Sequence, residues 1–251
     1  ALWVLGIIGV LAIVLVALVW WWLRPLDHTV PHGDECLDQP QGAYERCWDI
    51  LVPDGVGTEV PLLLDLHGYS GNKTQQRGLS GFEEIALREG FIVAWPQGIQ
   101  RSWNAGGVQW LSANEAPEVP GQGCCGTAIF EEIDDVAFIR DMVAQLMHQY
   151  SIDPVRVYVS GLSNGCAMAQ RLAAEASDVF AGAACMSMYL LSDVPATYTP
   201  TPVMEIHGTA DRVVDYYEGK WNGAMKNFDN WRIRNGCSGE GEVVWREGRH
   251  E

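Results

Sequence analysis

Residues Val155 to Gly165 read V-R-V-Y-V-S-G-L-S-N-G, and no other stretch restricts the fold as much. Val155, Val157 and Val159 favour a strand. The Ala-, Met-, Gln-, Arg- and Leu-rich run after Gly165 favours a helix. Between them sits G-x-S-x-G, in the strand–turn–helix setting that gives the pattern chemical meaning. A serine at such a turn takes unfavourable backbone angles. Bulk two residues to either side would strike the neighbouring strand and helix, which is why glycine stands at 161 and 165. The turn holds the Ser163 hydroxyl above the sheet. It also aims backbone N–H groups of the next helical turn at the place where negative charge would develop.

The rest of the chain alternates strands with helices. Val60 to Leu66 (V-P-L-L-L-D-L) is almost continuously apolar, as suits a parallel strand buried on both faces. Further strands are expected at Phe91–Trp95, Phe180–Met188, Val203–Ile206 and Glu242–Trp245. Helices are expected at Leu79–Arg88, closed by Gly90, and at Asn222–Arg234. The clearest helix is Asp134–Tyr150, where Val136, Ile139, Arg140, Val143, Leu146 and Met147 recur at 3-and-4 spacing. Ala43–Val52 followed by Pro53-Asp54-Gly55 reads as an edge hairpin. A long irregular segment from Gly98 to Gly126, holding tryptophans and cysteines, reads as an ordered loop beside a site. The alternation implies an α/β fold, with a mostly parallel sheet, helices on both faces, and ligands at the carboxyl ends of the strands. His67, Ser163 and Asp211 each follow a strand directly and are expected on that one rim.

Ala1 to Leu23 contains no charged residue. As a helix it would span roughly the ~30 Å of a bilayer core, and Trp20, Trp21, Trp22 and Arg24 suit the lipid–water boundary. Residues 1–23 therefore read as a membrane anchor, with a cleaved signal segment as the alternative. Residues 24–42 read as a polar linker in which His28 and His32 are solvated. Seven cysteines with no zinc-type spacing point to disulfides and an extracytoplasmic location, membrane-anchored or secreted. A net charge of −16 repels phosphate backbones and speaks against a nucleic-acid partner.

A serine hydroxyl becomes a useful nucleophile when a base lies within hydrogen-bond reach and a carboxylate fixes that base's tautomer. Downstream of Ser163, Asp211 stands in a strand-end loop as such an acid should, with Asp215 and Asp193 as weaker alternatives. The ordered set L-H-G-Y-S-G (Leu66 to Gly71), W-P-Q-G (Trp95 to Gly98), S-W-N-A-G (Ser102 to Gly106) and C-C-G (Cys124 to Gly126) continues along the chain. I-D-D-V-A-F (Ile133 to Phe138), the elbow, H-G-T-A-D (His207 to Asp211) and N-G-C (Asn235 to Cys237) complete it. This set resembles the polyhydroxybutyrate depolymerase and feruloyl esterase family of α/β-hydrolases.

The resemblance implies an α/β-hydrolase domain over residues 43–251, cut short at its C-terminal end. It implies a carboxylic ester hydrolase that forms an acyl-enzyme on short-chain polyesters or feruloyl-type esters, without metal or cofactor. By match, Ser163 is the nucleophile, Asp211 the triad acid, and the backbone N–H groups of Tyr69 and Asn164 the oxyanion donors. The family's catalytic histidine lies in a glycine-rich loop before W-P-G. Here the only histidine after Asp211 is His250, in E-G-R-H-E, so the base is expected beyond the chain end, with His250 as the alternative. His67 is read as part of the oxyanion loop, His207 as a brace of the strand-end turn, and His148 as an ordinary helix residue. A serine peptidase of the same fold and a membrane-tethered, non-catalytic binding protein are the competing functions.

Overall fold

Strand β3 (Val60–Leu66) takes the middle of the sheet because both of its faces can be buried; Leu62, Leu64 and Leu66 are fully covered. The computed structural model of the chain describes residues 33–106, 125–217, 223–239 and 241–242. The other strands are β1 (Gly33–Cys36), β2 (Cys47–Leu51), β4 (Ile92–Pro96), β5 (Ile152–Leu162), β6 (Gly182–Met186) and β7 (Val203–Ile206). They join in the order β1-β2-β4-β3-β5-β6-β7. β1 pairs antiparallel with β2, and β2 with β4; from β4 to β7 every pairing is parallel.

The helices are α1 (Lys73–Ser80), α2 (Phe82–Glu89), α3 (Thr127–Phe130), α4 (Asp135–Gln149), α5 (Asn164–Glu175) and α6 (Ala224–Arg234). From β3 the chain steps one way to β4, then crosses back to β5 on the other side. Right-handed crossovers therefore place α1 and α2 on the face opposite α4 and α5. The carboxyl ends of β3 and β5 flank this reversal, the place where open α/β sheets bind ligands.

Several expectations are corrected. The stretch read as linker, 24–42, contains β1, which pairs with β2 and is joined to it by the Cys36–Cys47 disulfide. The hairpin is therefore β1–β2, turning at Gln41–Tyr44, and Pro53-Asp54-Gly55 leads instead toward β3. The single helix expected at Leu79–Arg88 is two, because Gly81 takes a left-handed φ of 70° between α1 and α2. α1 begins earlier than expected, where the Asn72 side chain accepts the Gln75 N–H. The buried stripe of α4 is Phe138, Ile139, Met142, Val143 and Leu146, rotated from the expected one; Arg140 instead pairs with Asp178 outside. Among the described residues no helix is long and apolar enough to cross a membrane. The expected span 1–23 and the expected strand Glu242–Trp245 lie outside them, apart from Glu242.

Candidate active site

Ser163 stands between the last residue of β5 and the first of α5, with φ 51° and ψ −117°. A non-glycine residue holds such angles only when its surroundings over-determine them. They do so here. A Cβ at Gly161 would run into the backbone of Gly165, and one at Gly165 into the carbonyls of Leu66 and His67. The Ser163 N–H donates to Met186 O (2.8 Å), so the turn is also tied to the end of β6.

The loop after β3 lies against this turn: a Cβ built at Gly68 would sit 3.6 Å from Ser163 Cβ. His67 holds that loop. Gly98 N–H can only donate, so His67 Nε2 accepts it (3.0 Å), which leaves the proton on Nδ1 to be donated to Gly68 O (2.8 Å). Burial above all, with the charge of Arg101 added, brings the His67 pKa down to about 4, although the Gly68 hydrogen bond opposes it. The ring is a neutral strut. Trp103 Nε1 donates to His67 O (2.9 Å), and Ser70 N–H to Arg101 O (2.8 Å). Tyr69 N–H makes no hydrogen bond among the described residues. Asn164, at the start of α5, carries one of the first-turn N–H groups that helix geometry leaves open.

Asp211 follows β7. Its Oδ1 accepts the N–H groups of Val213 (2.8 Å) and Val214 (3.0 Å), and Oδ2 lies 3.6 Å from His207 Nε2. Burial pushes this carboxyl up. The Val214 and Val213 N–H groups, His207 and the Ser187 hydroxyl outweigh it and hold the group below the usual carboxylate range. Ser187 N–H donates to Ile206 O (3.0 Å), so the ends of β5, β6 and β7 are laced together. Ser163 and Asp211 thus follow the carboxyl ends of β5 and β7, which lie two strands apart in the sheet, roughly 10 Å between the strand backbones. His207 has each ring nitrogen against an oxygen, Glu205 Oε1 at 3.2 Å and Val214 O at 2.9 Å, and braces the turn. Asp215 is partly buried beyond that turn, Asp193 is exposed in the β6–β7 loop, and His148 is exposed on α4. His250 lies outside the described residues.

A sequence profile described as "Esterase PHB depolymerase" matches residues 47–217. The chain belongs to the PHB depolymerase esterase family. It is 31% identical over 201 residues to feruloyl esterase B of Piromyces equi, covering 72% of this chain and 33% of that protein. It is 34% identical over 135 residues to poly(3-hydroxyalkanoate) depolymerase C of Paucimonas lemoignei, covering 53% of this chain and 29% of that one. The chain thus spans about a third of the length of these relatives. Among solved structures, an acetyl xylan esterase from Aspergillus awamori shares the fold with TM-score 0.57 and 17% identity, over 76% of this chain and 75% of that one. A mostly parallel sheet with flanking helices is accordingly the esterase-type α/β-hydrolase fold.

Three partners of the site are silent in the family motifs as sequence. The Asn164 side chain, not only its N–H, is engaged: Oδ1 accepts Trp103 N–H and Nδ2 donates to Trp103 O. Asp135 Oδ2 accepts Asn104 N–H (2.7 Å) while Oδ1 meets Arg46 Nη2 (2.5 Å), with the guanidinium 3.8 Å over the Phe138 ring. Asp65, inside the apolar run of β3, is buried and accepts from Ser160 Oγ, Gln76 Nε2 and Trp95 Nε1. For Asp135 and Asn104 the sequence offers only the recurrence of I-D-D-V-A-F and S-W-N-A-G, which names no partner.

Proposed function

We propose that the chain carries the nucleophile and acid of a serine carboxylic-ester hydrolase that works through an acyl-enzyme. Ser163 Oγ attacks the ester carbonyl and its proton passes to a histidine that follows Asp211 in the chain; His250 is the one such residue up to position 251. The N–H groups of Tyr69 and Asn164 hold the oxyanion. The alkoxide leaves with the proton from the imidazolium, and water then attacks the acyl-serine by the same route in reverse. Asp211, kept ionised by its N–H donors, orients the imidazole and stabilises its charge. The observation that carries this reading is Ser163 held at φ 51° between two glycines that tolerate no side chain.

The names of the similar proteins support short-chain polyesters or feruloyl-type esters as substrates. The Cys36–Cys47 and Cys166–Cys185 disulfides support an oxidising, extracytoplasmic setting, with residues 1–23 as the membrane anchor. In the full-length protein, Ser163→Ala should abolish hydrolysis of p-nitrophenyl butyrate and leave far-UV circular dichroism unchanged. Undiminished turnover in that variant would end the proposal.

A further inference from the structure

Beside the oxyanion loop lies a cavity of about 400 Å³. It borders the nucleophile, since Gly68 and Leu162 both line it. None of the eleven residues around it is acidic. With His67 neutral, Arg101 is the only charged side chain among the described residues that line the cavity, a positive one in a chain whose net charge is −16. Neighbouring cations are matched: Lys73 pairs with Asp49 at 2.9 Å and Arg77 with Glu83 at 2.7 Å. Arg101 is not. Its Nε donates to Gly71 O (3.2 Å) and its Nη2 to Gln75 Oε1 (3.3 Å), both neutral acceptors, and no carboxylate among the described residues is within ion-pair distance. The backbone that presents it is unusual as well. Gln100 and Arg101 are successive non-glycine residues with φ of 45° and 63°. Two such residues in a row persist where the surroundings impose them, typically at ligand clamps. Leu79 and Tyr69, exposed by 68% and 52%, give the cavity an apolar flank.

We propose that this cavity takes the carboxylate of a substrate that carries one: a short ester with a free acid group, such as a linear oligomer of a hydroxy acid. The Arg101 guanidinium meets the carboxylate, and Tyr69 and Leu79 cover the hydrocarbon between it and the ester. The inference rests on the ester-hydrolase reading for the placement of the scissile bond, and it adds a preference for acid-ended oligomers over capped ones.

The test is binding without turnover, in the full-length protein carrying Ser163→Ala, by isothermal titration calorimetry. Two ligand pairs are compared. The 3-hydroxybutyrate dimer and its methyl ester place the carboxylate on the alcohol side of the ester. Monoethyl glutarate and its methyl ester place it on the acyl side. At least one free acid should bind about tenfold tighter than its methyl ester, and that advantage should shrink as ionic strength rises. Adding Arg101→Gln should bring the pair to equal affinity, while Arg101→Lys should keep part of the difference; a merely structural role would weaken acid and ester alike. Equal binding of acid and ester in both pairs, or an advantage that survives Arg101→Gln, overturns the inference. The comparison within the Arg101 protein needs no variant at that position. Hydrolysis of p-nitrophenyl butyrate by the protein with Ser163 intact is read separately, so a failed binding site and a failed esterase reading give different results.

Discussion

Asn164 grips the backbone of Trp103 at both ends, accepting its N–H at 2.7 Å and donating to its carbonyl at 3.1 Å. Both residues are buried. One strut therefore runs from the elbow through Trp103 to His67 O and on to the loop that carries Tyr69. Asn164→Ala leaves the buried Trp103 N–H without its partner, while the Trp103 carbonyl keeps the Ala105 N–H (3.0 Å), at a cost of about 1–3 kcal/mol. Because the loop then shifts against the nucleophile, kcat for p-nitrophenyl butyrate should fall about 10–100-fold with KM little changed. An unchanged kcat in a folded variant would show that the clamp does not position the site.

Asp211→Asn keeps the shape of the acid and removes its charge. The Val213 and Val214 N–H groups can still be accepted, so the turn should survive. The base would lose its orienting carboxylate, and kcat should drop about 10³–10⁴-fold. A loss below about tenfold would move the role to another acid, which the same assay on Asp215→Asn would identify.

His67 links stability to pH. Its folded pKa of about 4 lies below the ordinary value of 6.5, so the folded chain binds fewer protons here than the unfolded one. The contribution is complete above pH 6.5 and is lost as pH falls toward 4, by about 3 kcal/mol in all. Urea midpoints measured across that window should fall less steeply for His67→Gln than for the parent. Parallel curves would mean that the ring is not held neutral.

The Arg46–Asp135 pair is wholly buried, with both side chains at 0% exposure. Asp135→Asn strands the guanidinium and should cost about 3–5 kcal/mol, or roughly 10 °C in Tm. Pairing it with Arg46→Met should restore much of that loss, because no buried guanidinium is then left without a counter-charge, and the amide oxygen that Asp135→Asn keeps can still accept the Asn104 N–H. If the double variant is no more stable than the single one, the buried charge is not the cause.

The features legible in the sequence are those whose geometry is set by residues close together in the chain. The elbow needs glycine at 161 and 165 for steric reasons that the motif itself displays, and Asp211 is placed by the strand it follows. What was hidden depends on distant partners. Trp103 and Asn164 are 61 residues apart, and Arg46 and Asp135 are 89 apart. Asp65 is indistinct within its apolar run because the three groups that satisfy it come from α1, β4 and β5. The break at Gly81 and the rotated face of α4 follow from what each helix is packed against, which periodicity alone does not contain. β1 carries no signal of its own, because four residues without alternation make a strand only when a neighbour and a disulfide supply the reason.

That same disulfide decides how the antiparallel side of the sheet meets its surroundings. A four-residue rim strand held by hydrogen bonds alone would peel away readily and bare the amides of β2 to any passing chain. Cys36 cannot leave without Cys47, so the hem stays sewn while the bridge is oxidised. A reducing agent should therefore reveal itself first as protease cuts near the rim and as self-association, while the buried Cys166–Cys185 bridge beside the elbow is still closed.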